Sequence, residues 1–282
     1  MTSSPPSALT PVAEEFGRSH SFTDITFQGQ GAFKETFRAV SSAKTPVALK
    51  ILQPAKCDLA RSQREIEALQ KCDSPLIARL YDYGTFHSAD GTDYYYSVEE
   101  YLDGGTLTQR LNPTLAPDVV REYGRRLTEA LGHLKDQKLV HRDIKPDNIM
   151  FRAGGDVPVL VDFGLVRDLS ATSLTQTWLP QGPGTPYYAA PEQLNNEKPL
   201  IGWRTDQFSL GVVLGISLTG RHPFTRPGMT LPQTVVAVAA REVCSDEFRV
   251  AARAAKLEGI IKMLAPWPVQ RYANPTQLLN SF

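Results

Sequence analysis

Two patterns of hydrophobic spacing divide the chain. From Phe22 to Tyr101, β-branched and aromatic residues come in short runs separated by turn residues. "DITFQGQGAFKETFRAV" (24–40) carries such residues on either side of a glycine-containing turn, which predicts a hairpin. "TPVALKIL" (45–52) reads as a further strand, as do "SPLIARLYDYGTF" (74–86) and "TDYYYSVEEYL" (92–102). Between them, "DLARSQREIEALQ" (58–70) changes to helical character: Asp58 suits an N-cap, and Ile66 and Leu69 share a face.

Past Gly104 and Gly105 the period lengthens. Val120, Tyr123, Leu127, Leu131 and Leu134 recur at steps of three and four, which is one apolar helix face. "FSLGVVLGISL" (208–218) is apolar throughout, too short to span a bilayer, and reads as a buried core helix. "VPVLVDFG" (157–164) reads as a short buried strand. The polar segment after it, to about residue 186, is too long for an ordinary connection and is expected to be functional or mobile. These patterns predict an α+β chain with two lobes. Residues 22–101 form a small antiparallel sheet with one helix, and residues 102–282 form a larger, mainly helical lobe. A cleft between such lobes is a natural ligand site. Residues 1–21, rich in Ser, Thr and Pro, are expected to be a flexible leader.

Composition narrows the function classes. Lys plus Arg number 30 and Asp plus Glu number 30, so the formal net charge is zero. No global basic field invites nucleic acid or an anionic membrane, and any anion site must be local. Cys57, Cys72 and Cys244 are odd in number and lack a C-x-x-C pair, so neither a disulfide framework nor a zinc site is expected. The N-terminus lacks the basic stretch and apolar run of a signal peptide, and a reducing, cytoplasmic setting is expected.

The chemistry lies in "GQGAFKETF" (29–37), "VALK", "REIEAL", "VHRDIKPDNIM" (140–150), "VDFG", "GTPYYAAPE" (184–192), "DQFSLG" and "VQRYANP". A lone G-x-G is weak. The ordered series, at these separations, resembles the catalytic core of eukaryotic-type (Hanks-type) serine/threonine protein kinases over residues 22–282, with the compactness of bacterial members. The resemblance implies the bilobal protein kinase fold, and transfer of the γ-phosphate of ATP to Ser/Thr hydroxyls of a protein substrate. Mg²⁺ is the implied metal and Mn²⁺ the alternative. Self-association for trans-autophosphorylation would fit.

The same resemblance implies the roles. Gly29, Gly31 and Phe33 belong to the lid over the phosphates. Lys50 holds the α- and β-phosphates, and Glu65 pairs with it. Glu67 is the other carboxylate in reach, but Glu65 lies one helical turn before Leu69 on the same face. Asp143 is the catalytic base and Lys145 lies near the γ-phosphate. Asn148 and Asp162 give oxygen ligands to Mg²⁺, a hard cation. Backbone groups of Glu100 and Leu102 meet the adenine edge, with Ala48 above and Met150 below. Arg142 would bind a phosphate on the segment holding Ser170, Thr172, Ser173, Thr175 and Thr177, or that segment is simply a solvated loop. Thr185 belongs to a substrate platform. Glu192 and Arg271 would form a buried structural ion pair, and Asp206 would brace the catalytic loop.

Two positions depart from the family pattern. Lys34 replaces the third loop glycine, and either points to solvent or assists phosphate binding. Glu99 stands where the family commonly has Met, Leu, Phe or Thr. Either it bonds Lys50, another polar group or water behind the adenine, or it turns outward. These departures keep a second reading open, a pseudokinase acting as a nucleotide- or protein-binding scaffold. A third, a small-molecule phosphotransferase, is disfavoured by "GTPYYAAPE".

Overall fold

The computed structural model describes residues 7–31, 34–52, 69–70, 72–162 and 185–282. The chain divides into two compact units. One is made of residues 1–73 and 78–101, and the other of residues 74–77 and 102–282.

The first unit is an antiparallel five-stranded sheet with spatial order β1-β2-β3-β5-β4. Its strands are β1 (Thr23–Gln30), β2 (Lys34–Val40), β3 (Pro46–Leu52), β4 (Leu80–His87) and β5 (Asp93–Glu100). The predicted hairpin is β1–β2, with a register shift between Phe27 and Gly29. Strand alternation sorts the side chains onto two faces. Phe37, Ala39, Val47, Leu49, Ile51 and Val98 fall on one face and form the core. Thr36, Ala48, Lys50, Ser97 and Glu99 fall on the other, with Thr36 opposite Lys50, Lys50 opposite Ser97 and Ala48 opposite Glu99.

The apolar face is covered by α1 (Thr10–His20), so the loose leader expected over residues 1–21 is corrected for residues 10–20. Leu9, Val12, Ala13 and Phe16 enter the sheet core, with Phe16 fully buried and edge-on to Phe86 at 5.4 Å. The spacing of Leu9, Val12, Ala13 and Phe16 is that of a helix face, and Pro11 stands in the first helical turn, where its missing N–H costs nothing. Glu15 accepts from Ser88 Oγ at 2.7 Å and from the Ala89 N–H at 2.8 Å, tying the helix to the β4–β5 turn. At the other end, buried Glu35 accepts from the Leu9 N–H at 3.1 Å. An apolar sheet face needs a cover, and the Ser- and Pro-rich composition hid one.

The second unit is helical. It contains α2 (Leu107–Arg110), α3 (Pro117–Asp136), α4 (Pro191–Leu194), α5 (Trp203–Thr219), α6 (Leu231–Ala239), α7 (Asp246–Ala254), α8 (Gly259–Met263) and α9 (Pro275–Leu279). A two-stranded ribbon, β6 (Ile149–Met150) with β7 (Val159–Leu160), completes it. The apolar stripe predicted on α3 is buried at Val120, Tyr123, Leu127, Leu131 and Leu134. The all-apolar stretch of α5 is a core helix, as its lack of a polar face requires. Residues 74–77, read as part of a strand, instead join this unit: Ile77 bridges Leu160, and the Leu160 N–H donates to the Leu76 carbonyl at 2.9 Å. Gly104 is required by close approach, because a Cβ there would lie 2.4 Å from the Arg152 carbonyl oxygen. No helix among the described residues is long and apolar enough to cross a membrane.

Candidate active site

In the helical unit the loop 141–148 is pinned at its start by one buried carboxylate. Asp206, in the first turns of α5, accepts from the His141 N–H at 2.7 Å and from the Arg142 N–H at 2.8 Å, one on each oxygen. Burial pushes the Asp206 carboxyl up to about 7, and the two backbone N–H groups pull against that by favouring the anion. His141 is fully buried; its Nε2–H donates to the Val161 carbonyl at 3.0 Å and its Nδ1 accepts from the Asp143 N–H at 3.3 Å. Gln193 Nε2 donates to the Arg142 carbonyl at 3.0 Å. Arg142 and Asp162 both have positive φ, 66° and 63°, which for such residues is strained backbone held by its surroundings.

This scaffold brings Asp143, Lys145 and Asn148 together. Asp143 Oδ2 accepts from Lys145 Nζ at 3.1 Å and from Asn148 Nδ2 at 3.1 Å. The second Nδ2 hydrogen of Asn148 goes to the Asp143 carbonyl at 2.8 Å. With both amide hydrogens committed, Oδ1 is the atom Asn148 can offer a cation. The Val161 N–H donates to the Asn148 carbonyl at 3.0 Å, so Asp162 follows directly from a residue bonded to Asn148. Met150 pairs with Val159 and bridges Thr106. Leu102 is buried. Thr185 opens the 3-10 turn Thr185–Tyr188.

In the sheet unit, Lys50 Nζ donates to Glu99 Oε2, with both side chains largely buried. Glu99 therefore does not turn outward. Ala48 is buried beside it in register. The Glu100 N–H is taken by the Arg79 carbonyl at 2.8 Å. The Gly31 N–H closes the β1–β2 turn onto the Lys34 carbonyl at 2.8 Å. Lys34 heads β2 in strand conformation, so a lysine there meets no backbone penalty. Gly29 has no internal reason to be glycine: an added Cβ would meet nothing within 4 Å, and its backbone lies outside the left-handed region.

Phe33, Glu65, Glu67, Ser170, Thr172, Ser173, Thr175 and Thr177 lie outside the described residues, as does the helix expected around Glu65. Three contributors escaped sequence reading: His141, Gln193 and Ser97. The first two act through loop backbone. Ser97, whose Oγ donates to Glu99 Oε1 at 2.8 Å, is recognisable once the β3–β5 register is known.

Among the described residues, no group of three or more His, Cys, Asp or Glu could hold a metal by itself. The donor set of Asn148 and Asp162 is hard oxygen. It suits Mg²⁺, which is commonly held by one or two protein oxygens completed by phosphate and water.

The protein kinase domain family matches residues 22–279. The chain is 33% identical over 236 residues to a probable serine/threonine-protein kinase PknB of Bifidobacterium longum, covering 80% of this chain and 33% of that protein. It is 35% identical over 184 residues to the serine/threonine-protein kinase PrkC of Bacillus subtilis, covering 63% and 27%. It is 33% identical over 229 residues to the human serine/threonine-protein kinase Nek5, covering 78% and 30%. The chain belongs to the protein kinase domain family. It spans about a third, or less, of the length of these curated relatives.

Proposed function

We propose that the chain is an ATP- and Mg²⁺-dependent serine/threonine protein kinase able to phosphorylate itself. The observation that carries this reading is the cluster of Asp143, Lys145 and Asn148 on one pinned loop, with Asp162 tied to it through Val161. Phosphoryl transfer asks the protein for positioning and charge neutralisation more than for covalent chemistry. Lys50 would hold the α- and β-phosphates, paired with Glu65, and Lys145 would meet the γ-phosphate. The metal, Mg²⁺ or Mn²⁺, would neutralise phosphate charge when bound, held by Asn148 Oδ1 and the Asp162 carboxylate. Asp143 would orient the substrate hydroxyl and take its proton as the new P–O bond forms and the bond to the departing ADP oxygen breaks. The open space at Gly29 supports close approach of the loop, with Gly31 and Phe33, to the phosphates. Ala48, Met150 and backbone groups of Glu100 and Leu102 would receive adenine.

Arg142 would bind a regulatory phosphate on Thr172, Ser173, Thr175 or Thr177, and Thr185 would face the protein substrate. The free thiols Cys72 and Cys244 suit a reducing, cytoplasmic setting for this signalling role. Incubation with Mg-ATP followed by mass spectrometry tests the proposal. Phosphate is expected on the unsubstituted chain and not on Asp143→Asn. Its absence from both, and from every protein offered, would sink the kinase reading in favour of a scaffold.

A further inference from the structure

The sheet face that carries Lys50 also carries a carboxylate that holds it. Lys50 lies opposite Ser97 and Ala48 lies opposite Glu99, so Lys50 and Glu99 form the diagonal between two neighbouring rungs of the β3–β5 ladder. Side chains as long as these reach across such a diagonal. Glu99 Oε2 accepts from Lys50 Nζ, and Glu99 Oε1 accepts from Ser97 Oγ at 2.8 Å. Both carboxylate oxygens are thus engaged on one face, and the Ser97 hydroxyl sets the rotation of the carboxylate. The side chains of Lys50 and Glu99 are 7% and 15% exposed, deep enough for the pair to be poorly screened by solvent. Both residues stand on inner strands of the sheet, β3 between β2 and β5, and β5 between β3 and β4.

We propose that Glu99 is a positioning residue, which holds the Lys50 ammonium in place from a neighbouring strand before a triphosphate arrives. A charge-assisted hydrogen bond inside one rigid sheet costs little ordering on ligand binding, because the geometry is set in advance. An ammonium carries three donors, so engagement of one by Glu99 is compatible with further bonds to phosphate oxygens. The inference rests on the reading of Lys50 as the phosphate-binding lysine.

Two measurements test it, and the first is independent of activity. The intact, nucleotide-free chain is treated with a small acylating reagent, and labelling at Lys50 is read by peptide mass spectrometry. Exposed Lys198 serves as the internal reference. Loss of a hydrogen bond to a charged group should raise labelling of Lys50 about tenfold in Glu99→Met and about threefold in Glu99→Gln, with Lys198 unchanged. The second measurement is the KM–kcat split in phosphoryl transfer. Glu99→Met should raise KM for ATP about tenfold and change kcat less than about threefold, with Glu99→Gln between it and the unsubstituted chain. Thermal unfolding confirms that each variant is folded. If Glu99→Met fails to fold, Glu99→Gln, of nearly the same shape, carries the test. Unchanged Lys50 labelling in a folded variant overturns the pairing. Raised labelling with unchanged KM overturns the positioning role. Failure of the unsubstituted chain to bind a non-hydrolysable ATP analogue would overturn the kinase reading and this role with it, while labelling would still report the pair itself.

Discussion

Each unit contains a buried ion pair, and the two are built differently. In the helical unit, Glu192 and Arg271 have no exposed side-chain surface and bond through both carboxylate oxygens, at 2.7 and 3.0 Å. The remaining Arg271 donors go to the carbonyls of Ala265, Arg204 and Pro266, so all five N–H groups of the guanidinium find acceptors. Burial lowers Arg271 from its ordinary value and Glu192 opposes that shift. In the sheet unit, Lys50 and Glu99 keep a little exposure and join a compact ammonium on a flexible stem to a carboxylate oriented by Ser97. A planar fork with every donor assigned to the protein is a brace. An ammonium with three rotatable donors, on a polar sheet face, is suited to sharing. Ion-pair burial alone therefore does not mark function; the shape and mobility of the cation separate the two cases.

The comparison breaks most sharply at Arg271. Arg271→Met strands a buried carboxylate and should cost about 3–5 kcal/mol in urea unfolding. Arg271→Lys should not rescue it, since one ammonium cannot supply five donors. Lys50→Met should abolish phosphoryl transfer while costing less than Arg271→Met in the same unfolding measurement, because Glu99 keeps some exposure and its bond to Ser97. If the two stability costs came out equal, the distinction between brace and working pair would fall.

The next largest effect concerns how the sheet unit is supported. Phe16→Ala removes a fully buried ring of α1 and should cost about 3 kcal/mol. Amide hydrogen exchange should show the loss in β2, β3 and β5 but not in α3 and α5. A uniform loss would mean that the two units do not hold their cores separately.

A pH dependence should belong to the helical unit. His222 is buried, its Nε2–H donating to the Tyr187 carbonyl at 2.9 Å and its Nδ1 accepting from the Phe224 N–H at 3.3 Å. Burial lowers the imidazole from 6.5 to about 3. The unfolded chain therefore binds the proton first, so this stability is fully present above pH 6.5 and is lost as pH falls toward 3. At pH 5 the loss from His222 should be about 2 kcal/mol, read as the difference in unfolding free energy between the unsubstituted chain and His222→Gln at pH 7 and at pH 5, so that Asp206, raised to about 7 and titrating in the opposite sense, cancels. The smallest expected effect is that of Glu15→Ala, about 1 kcal/mol from two hydrogen bonds to the β4–β5 turn, read as a lower melting temperature.

Much of the fold was legible because its signals are local. The period of α3, the apolar run of α5 and the hairpin around Gly29 each lie within about twenty residues of chain. Two readings failed for physical reasons. Helix α1 carries a four-residue apolar face within a Ser- and Pro-rich stretch, and composition outweighed spacing. The run 74–86 read as one strand, but residues 74–77 pair with the segment before Asp162, a contact about eighty residues away in sequence.

The sequence by itself determined the inventory of the site: which carboxylates, amides and ammoniums are present, and in what order. The roles proposed for Lys50, Asp143, Asn148 and Asp162 follow from the family resemblance that those residues and their order carry. Only the tertiary structure decided which of those groups meet. The identity of a lysine says that it can carry charge, but not whose carboxylate will hold it. That partner depends on strand register, because one step of slip moves a side chain to the opposite face. With β3 and β5 paired as they are, Lys50, Ser97 and Glu99 share a face, and the unusual glutamate becomes the lysine's anchor.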